Sequence, residues 1–91
     1  MSSTEALTLD GWQVYIARCA DNSLYTGVTT DAARREAEHN GQGRKGARYT
    51  AVRRPVRIIW VEPAQDRAAA CRREAQIKKL TRAQKLSLIA S

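Results

Sequence analysis

The chain has 91 residues, with 16 Lys+Arg against nine Asp+Glu and a single His, for a net charge of +7. A chain of this length holds one domain with a small core, because only about 60% of the unfolded surface is buried at such sizes. No stretch approaches the roughly 18 apolar residues of a membrane span, the first residues do not read as a secretory signal, and Cys19 and Cys71 form neither a disulfide framework nor a zinc spacing, so a reducing cytoplasm is expected.

Residues 1–10 read as a flexible lead-in, with a single domain over 11–91. From Gly11 to Arg18 the pattern alternates, Trp12, Val14 and Ile16 on one face and Gln13 and Tyr15 on the other, which predicts a strand. After the turn residues 20–23 a second alternation sets Leu24, Thr26 and Val28 against Tyr25 and Gly27, so the two runs form an antiparallel hairpin. Both tyrosines fall off the apolar face. The segment Thr29 to Asp31 caps a short helix from Ala32 to about Asn40, ended by Gly41, and Arg35 and His39 share one side of it at i,i+4 spacing.

A glycine-rich basic loop follows over 41–48, and the β-branched run 55–61 predicts a third strand in the sheet interior. Asp66 is positioned to cap a helix over 67–80, whose stripe Ala70, Ile77, Leu80 has Glu74 on or beside it. Thr81 and Gln84 match a capping box that starts a last helix through Leu86, Leu88 and Ile89. The expectation is an α+β fold, a three-stranded antiparallel sheet flanked by helices in the order ββαβαα.

Charge is unevenly distributed. Residues 1–43 carry a net −3 and residues 44–91 a net +10, and twelve of the cations are Arg, whose planar fork suits phosphate. Arg44, Lys45, Arg48, Arg53, Arg54 and Arg57 surround Tyr49, a pattern suited to following a nucleic-acid backbone and stacking a base, although a solvated basic loop has the same composition.

Outside the expected core stand Tyr15, Tyr25, Arg35, His39 and Glu74. Each has an ordinary explanation: strand tyrosines pack, a histidine is often structural, and Glu74 could pair with Arg73 or Lys78. Together they suit phosphodiester hydrolysis. Glu74 can give one oxygen to Mg²⁺, Arg35 can meet charge building on phosphate, and a tyrosine can relay or accept the proton of water if a nearby cation lowers its pKa.

The order and spacing of Gln13, Val14, Tyr15, then Tyr25, Thr26, Gly27, then Arg35 with His39, then Glu74 resemble the GIY-YIG nuclease domain over about residues 12–90. The stretches 21–31 and 46–50 resemble its small stand-alone bacterial branch. The resemblance implies a DNA endonuclease using one Mg²⁺ or Mn²⁺ ion held by Glu74, with Tyr15, Tyr25, Arg35 and His39 as the remaining catalytic residues. The leading expectation is a nuclease of low sequence specificity that binds mainly through backbone phosphates and acts on flaps, branches or single strands, in repair or processing. Gln13 and Thr26 depart from the motif's Gly and Ile, and the family's late asparagine has no counterpart beyond Asn22 and Asn40. A nucleic-acid-binding module with weak or no hydrolysis is the alternative reading. A plain scaffold would instead bury Glu74 against an arginine and turn Tyr15 away from Arg35.

Overall fold

The computed structural model describes residues 11–41 and 48–91, with positions 48 and 49 described by their backbone. Strands β1 (Gln13–Arg18) and β2 (Leu24–Thr29) form the expected hairpin. Asn22 takes the left-handed conformation at φ 70°, which asparagine tolerates well, and Asp21 accepts the Ser23 amide at 3.0 Å to close the turn. Helix α1 (Ala32–His39) starts where Asp31 accepts the Arg34 amide at 3.0 Å, and Asn40 ends it. Gly41 follows at φ +99°, where a side chain would be strained.

A single turn, α2 (Arg48–Ala51), then leads to β3 (Arg57–Pro63), α3 (Arg67–Lys78) and α4 (Arg82–Ala90). Asp66 caps α3 through Ala69 at 2.8 Å, and both bonds of the Thr81–Gln84 capping box are present at α4. The α+β expectation holds, with one further short helix. Among the described residues no helix is long and apolar enough to cross a membrane, and Cys19 and Cys71 are free thiols, the first buried and the second exposed.

The strand order is β2-β1-β3, antiparallel throughout. This corrects the expectation for the third strand: β3 lies at an edge, begins two residues later than the apolar run suggests, and β1 occupies the centre. A bulge explains the misleading pattern. Register between β1 and β3 shifts after Ile16, so Trp60 pairs with Ile16 and Ile58 with Ala17. The extra residue sends Ile58 and Trp60 to opposite faces, so an unbroken apolar run fits a strand at the sheet's margin.

Each face of β1 has its own core. Val14 and Ile16 pack with Ala70 and Ile77 of α3, joined by Trp12, Leu24, Val28, Trp60, Leu88 and Ile89. On the other face Tyr15, Ala17, Cys19 and Val56 are buried with Tyr25 and Ile58 against them. Helix α1 is fastened over this second face by its polar side chains. Glu36 accepts the Ile58 amide at 2.7 Å, and Asn40 accepts the Val56 amide at 2.6 Å while donating to the Val56 carbonyl at 2.7 Å. Backbone groups at the start of an edge strand, which would otherwise need water or another strand, are met by helix side chains.

Candidate active site

Tyr15 is held in place by what stands across from it. In the β1–β2 ladder its partner is Gly27, and the phenol lies flat over that glycine: a Cβ there would sit 2.5 Å from the hydroxyl oxygen and 2.7 Å from the carbon bearing it. No larger residue fits without displacing the ring. Tyr25, paired with Ala17, shares the same face, with its ring centroid 6.3 Å from that of Tyr15. Helix α1 crosses this face and brings His39 edge-on to both rings, at 5.8 Å from Tyr15 and 5.3 Å from Tyr25.

His39 is fully buried, yet both its ring nitrogens have partners. Nε2 lies 2.7 Å from the Tyr15 hydroxyl and Nδ1 lies 2.7 Å from the Thr50 hydroxyl. Arg35, one turn earlier on α1, sets its guanidinium beside the Tyr15 phenol and forms a 3.2 Å ion pair with Glu38. It also lines a cleft of about 350 Å³ with Trp12, Thr29, Thr30, Arg34 and Glu38, which leaves the guanidinium reachable from solvent.

Burial dominates the titration of this cluster. It pushes the Tyr15 phenol up to about 12, opposed by the hydrogen bond and charge of Arg35 and assisted by the negative charge that Tyr25 and Glu74 can bring. Burial and the Arg35 charge lower His39 to about 4, with Arg54 adding to the effect and Glu38 opposing it, so the imidazole is neutral near pH 7. Burial also works against the Arg35 charge, but hydrogen bonds to Tyr15 and Glu38 outweigh it, and its pKa is raised. The cluster therefore holds one fixed cation, one neutral imidazole and one protonated phenol.

Glu74 comes from α3, on the other side of the sheet, and its charge is felt at the Tyr15 phenol. Its carboxylate is about a quarter exposed and pairs with Lys78 at 3.3 Å. Arg73, the alternative partner, instead binds Glu62 at 2.8 Å. With Tyr15 against Arg35 and a lysine beside Glu74, neither mark of the scaffold reading holds.

The basic residues are less unified than their sequence clustering suggests. Arg44 and Lys45 lie outside the described residues, and at Arg48 and Tyr49 only the backbone is described. Arg53 pairs with Asp21 at 3.0 Å, tying the segment before β3 to the hairpin turn. Arg54 donates to the His39 carbonyl at 2.7 Å and lies along Gly41. Arg57 is exposed, beside a second cleft lined by Arg18, Glu36 and Asn40. Neither Asn22, in the turn, nor Asn40, bound to Val56, serves the tyrosine cluster. The residue that sequence reasoning missed is Thr50, whose segment carried a family resemblance but no role.

A buried histidine joining two strand tyrosines to the first helix, beside an arginine and with a carboxylate in a later helix, defines a GIY-YIG-type nuclease domain. The chain belongs to that family: the GIY-YIG catalytic domain matches residues 11–87. It is similar to a UPF0213 protein of Desulfotalea psychrophila, 51% identical over 78 residues that cover 86% of this chain and 70% of the relative. A UPF0213 protein of Staphylococcus haemolyticus is 50% identical over 76 residues, covering 84% and 90%. The solution NMR structure of a UPF0213 protein from Bacillus halodurans shares the fold with a TM-score of 0.55 at 33% identity, over 87% of this chain and 82% of that one.

Proposed function

We propose that this chain is a divalent-metal-dependent endonuclease that hydrolyses phosphodiester bonds in DNA with little sequence preference. Its targets are flaps, branches or single strands met during repair or processing in the cytoplasm. The observation that carries this reading is the buried 2.7 Å contact between Tyr15 and His39 with Arg35 beside the same phenol. A phenol of pKa about 12 is a poor base in isolation. It becomes a useful one when its own proton has a neutral imidazole to go to and its developing charge has a guanidinium to meet.

In this scheme Tyr15 takes a proton from the attacking water while Arg35 meets charge on the phosphate oxygens through the open cleft. Tyr25 packs against His39 and walls the reacting group from bulk water. Glu74 fits a Mg²⁺ or Mn²⁺ ion in kind: it is one partly exposed carboxylate, and such an ion fills its other positions with water and phosphate. Among the described residues no group of three or more His, Cys, Asp or Glu could hold a metal by protein ligands alone. The ion would supply Lewis-acid polarisation of the phosphate, and Lys78 would release the carboxylate to it. Binding by this domain rests on phosphate contacts from residues such as Arg34 and Arg57, with Arg44, Lys45, Arg48, Tyr49, Arg53 and Arg54 as further candidates.

Purified protein incubated with branched and linear DNA and Mg²⁺ or Mn²⁺ tests the reading. Cleavage by the wild type and its loss in Glu74→Ala are expected. Intact substrate throughout, or a Glu74→Ala protein as active as wild type, would overturn it. The Lys78 ion pair on Glu74 favours the second reading, a binding module without hydrolysis; salt-sensitive DNA binding that survives Tyr15→Phe with no cleavage by the wild type would establish that alternative.

A further inference from the structure

His39 is the chain's single histidine, and its neutral ring has one hydrogen to place between two oxygen partners. We propose that Thr50 is a positioning residue, accepting the Nδ1 hydrogen of His39 and so keeping Nε2 as the acceptor for the Tyr15 hydroxyl. The tautomer is independent of the nuclease reading above, on which only its catalytic consequence rests.

The donors around Tyr15 decide the assignment. Arg35 has only hydrogens to give, and its guanidinium stands beside the phenol, where it favours an oxygen that accepts. If Nε2 also carried a hydrogen, two donors would converge on one oxygen, and the phenol would have to turn its own hydrogen away from the ring 2.7 Å distant. With Nε2 bare, the phenol donates to the ring and receives Arg35 on its other side. Nδ1 then carries the hydrogen, and the Thr50 oxygen 2.7 Å away accepts it. Thr50 is itself fully buried, on the single turn α2, so the ring has a fixed neighbour where water would otherwise compete.

The tautomer matters because only a bare Nε2 can receive a proton. As the water oxygen bonds to phosphorus, its proton passes to the Tyr15 oxygen and the proton of Tyr15 passes to Nε2. The bond from phosphorus to the leaving oxygen breaks, and that oxygen is protonated from solvent. The imidazolium formed meanwhile donates both hydrogens, one to Tyr15 and one to Thr50. It then returns its proton through Tyr15 to water. With the hydrogen on Nε2 instead, Tyr15 has no acceptor in the cluster and the relay stops. An orienting group of this kind acts on turnover rather than on binding.

Because His39 is the sole histidine, long-range ¹H–¹⁵N spectra of the labelled full chain report its tautomer directly. The wild type at neutral pH is expected to show a protonated Nδ1 and a bare Nε2. Thr50→Val should move the hydrogen toward Nε2 and lower kcat about tenfold or more with KM unchanged, and Thr50→Ser should restore both. A wild type protonated at Nε2, or a Thr50→Val protein with an unchanged tautomer, would overturn the assignment. If Thr50→Val does not fold, the wild-type spectrum still decides. If the wild type cuts no DNA, the nuclease reading falls while the spectra judge Thr50 on their own.

Discussion

Strand β1 is buried on both faces, yet the two faces are built of different materials. Toward α3 it presents Val14 and Ile16 to an apolar core. Toward α1 it presents Gln13 and Tyr15, and the burial there includes His39 and Thr50. Apolar packing is non-directional, so the first face tolerates approximate positions. Buried polar groups need specific partners at hydrogen-bond distance, so the second face fixes where its atoms stand. The comparison predicts that stability and turnover divide between the faces.

The largest effect should come from the polar face. Tyr15→Phe keeps the ring over Gly27 and removes only the hydroxyl, so single-turnover cleavage should fall by about 10²–10⁴. Stability should fall only by the roughly 1–3 kcal/mol of leaving the buried His39 Nε2 unpaired. Arg35→Ala should act in the same direction, measured in the same assay. On the apolar face Ile77→Ala should do the reverse: it should cost about 2–5 kcal/mol in urea denaturation while the rate per folded molecule stays near wild type. A turnover loss in Ile77→Ala matching that of Tyr15→Phe would dissolve the division.

Acid should also act through the polar face. His39 has a folded-state pKa near 4 against an ordinary 6.5, lowered by burial and then by Arg35, within a cluster that also presents Tyr15, Tyr25, Glu38 and Arg54. Between those values the unfolded chain binds a proton that the folded chain refuses, so stability falls as pH drops from 6.5 to 4, by about 3 kcal/mol in all. The opposite sign holds for Tyr15: with its pKa raised from 10 to about 12, its contribution is complete below pH 10 and fades as pH rises toward 12. Denaturation midpoints for wild type and His39→Gln across pH 4–7 check the first claim. The variant should lose most of the slope in that window.

How much of this was legible in the sequence depends on distance along the chain. The Asp31 and Asp66 caps, the Thr81–Gln84 box and the β1–β2 hairpin rest on residues a few positions apart, and all formed as read. Tyr15 and Tyr25 were visible because alternation placed them off the apolar face. The edge position of β3 was not legible, since it depends on a bulge opposite Ile16 and on which strand takes the centre. Thr50 was illegible for the same reason: it matters only because α2 brings it to a histidine eleven residues back. Asn40 and Glu36 resemble ordinary surface residues until β3 passes beneath them.

The smallest prediction concerns a polar atom on the apolar face. Thr26 pairs with Ile16, so it points into the apolar core beside α3. Its hydroxyl is buried without a hydrogen-bond partner, whereas His39 and Thr50, across the sheet, have theirs. A hydroxyl desolvated without a partner costs about 1–3 kcal/mol, and valine has the same shape without it. Thr26→Val should therefore raise stability by about 1 kcal/mol, a rise of roughly 4–8 °C in Tm for a domain of this size, with cleavage unchanged. A loss of stability would mean that the hydroxyl has a partner in solution. A loss of cleavage at constant stability would show that the apolar face also carries chemistry, and the division between the faces would have to be redrawn at Thr26.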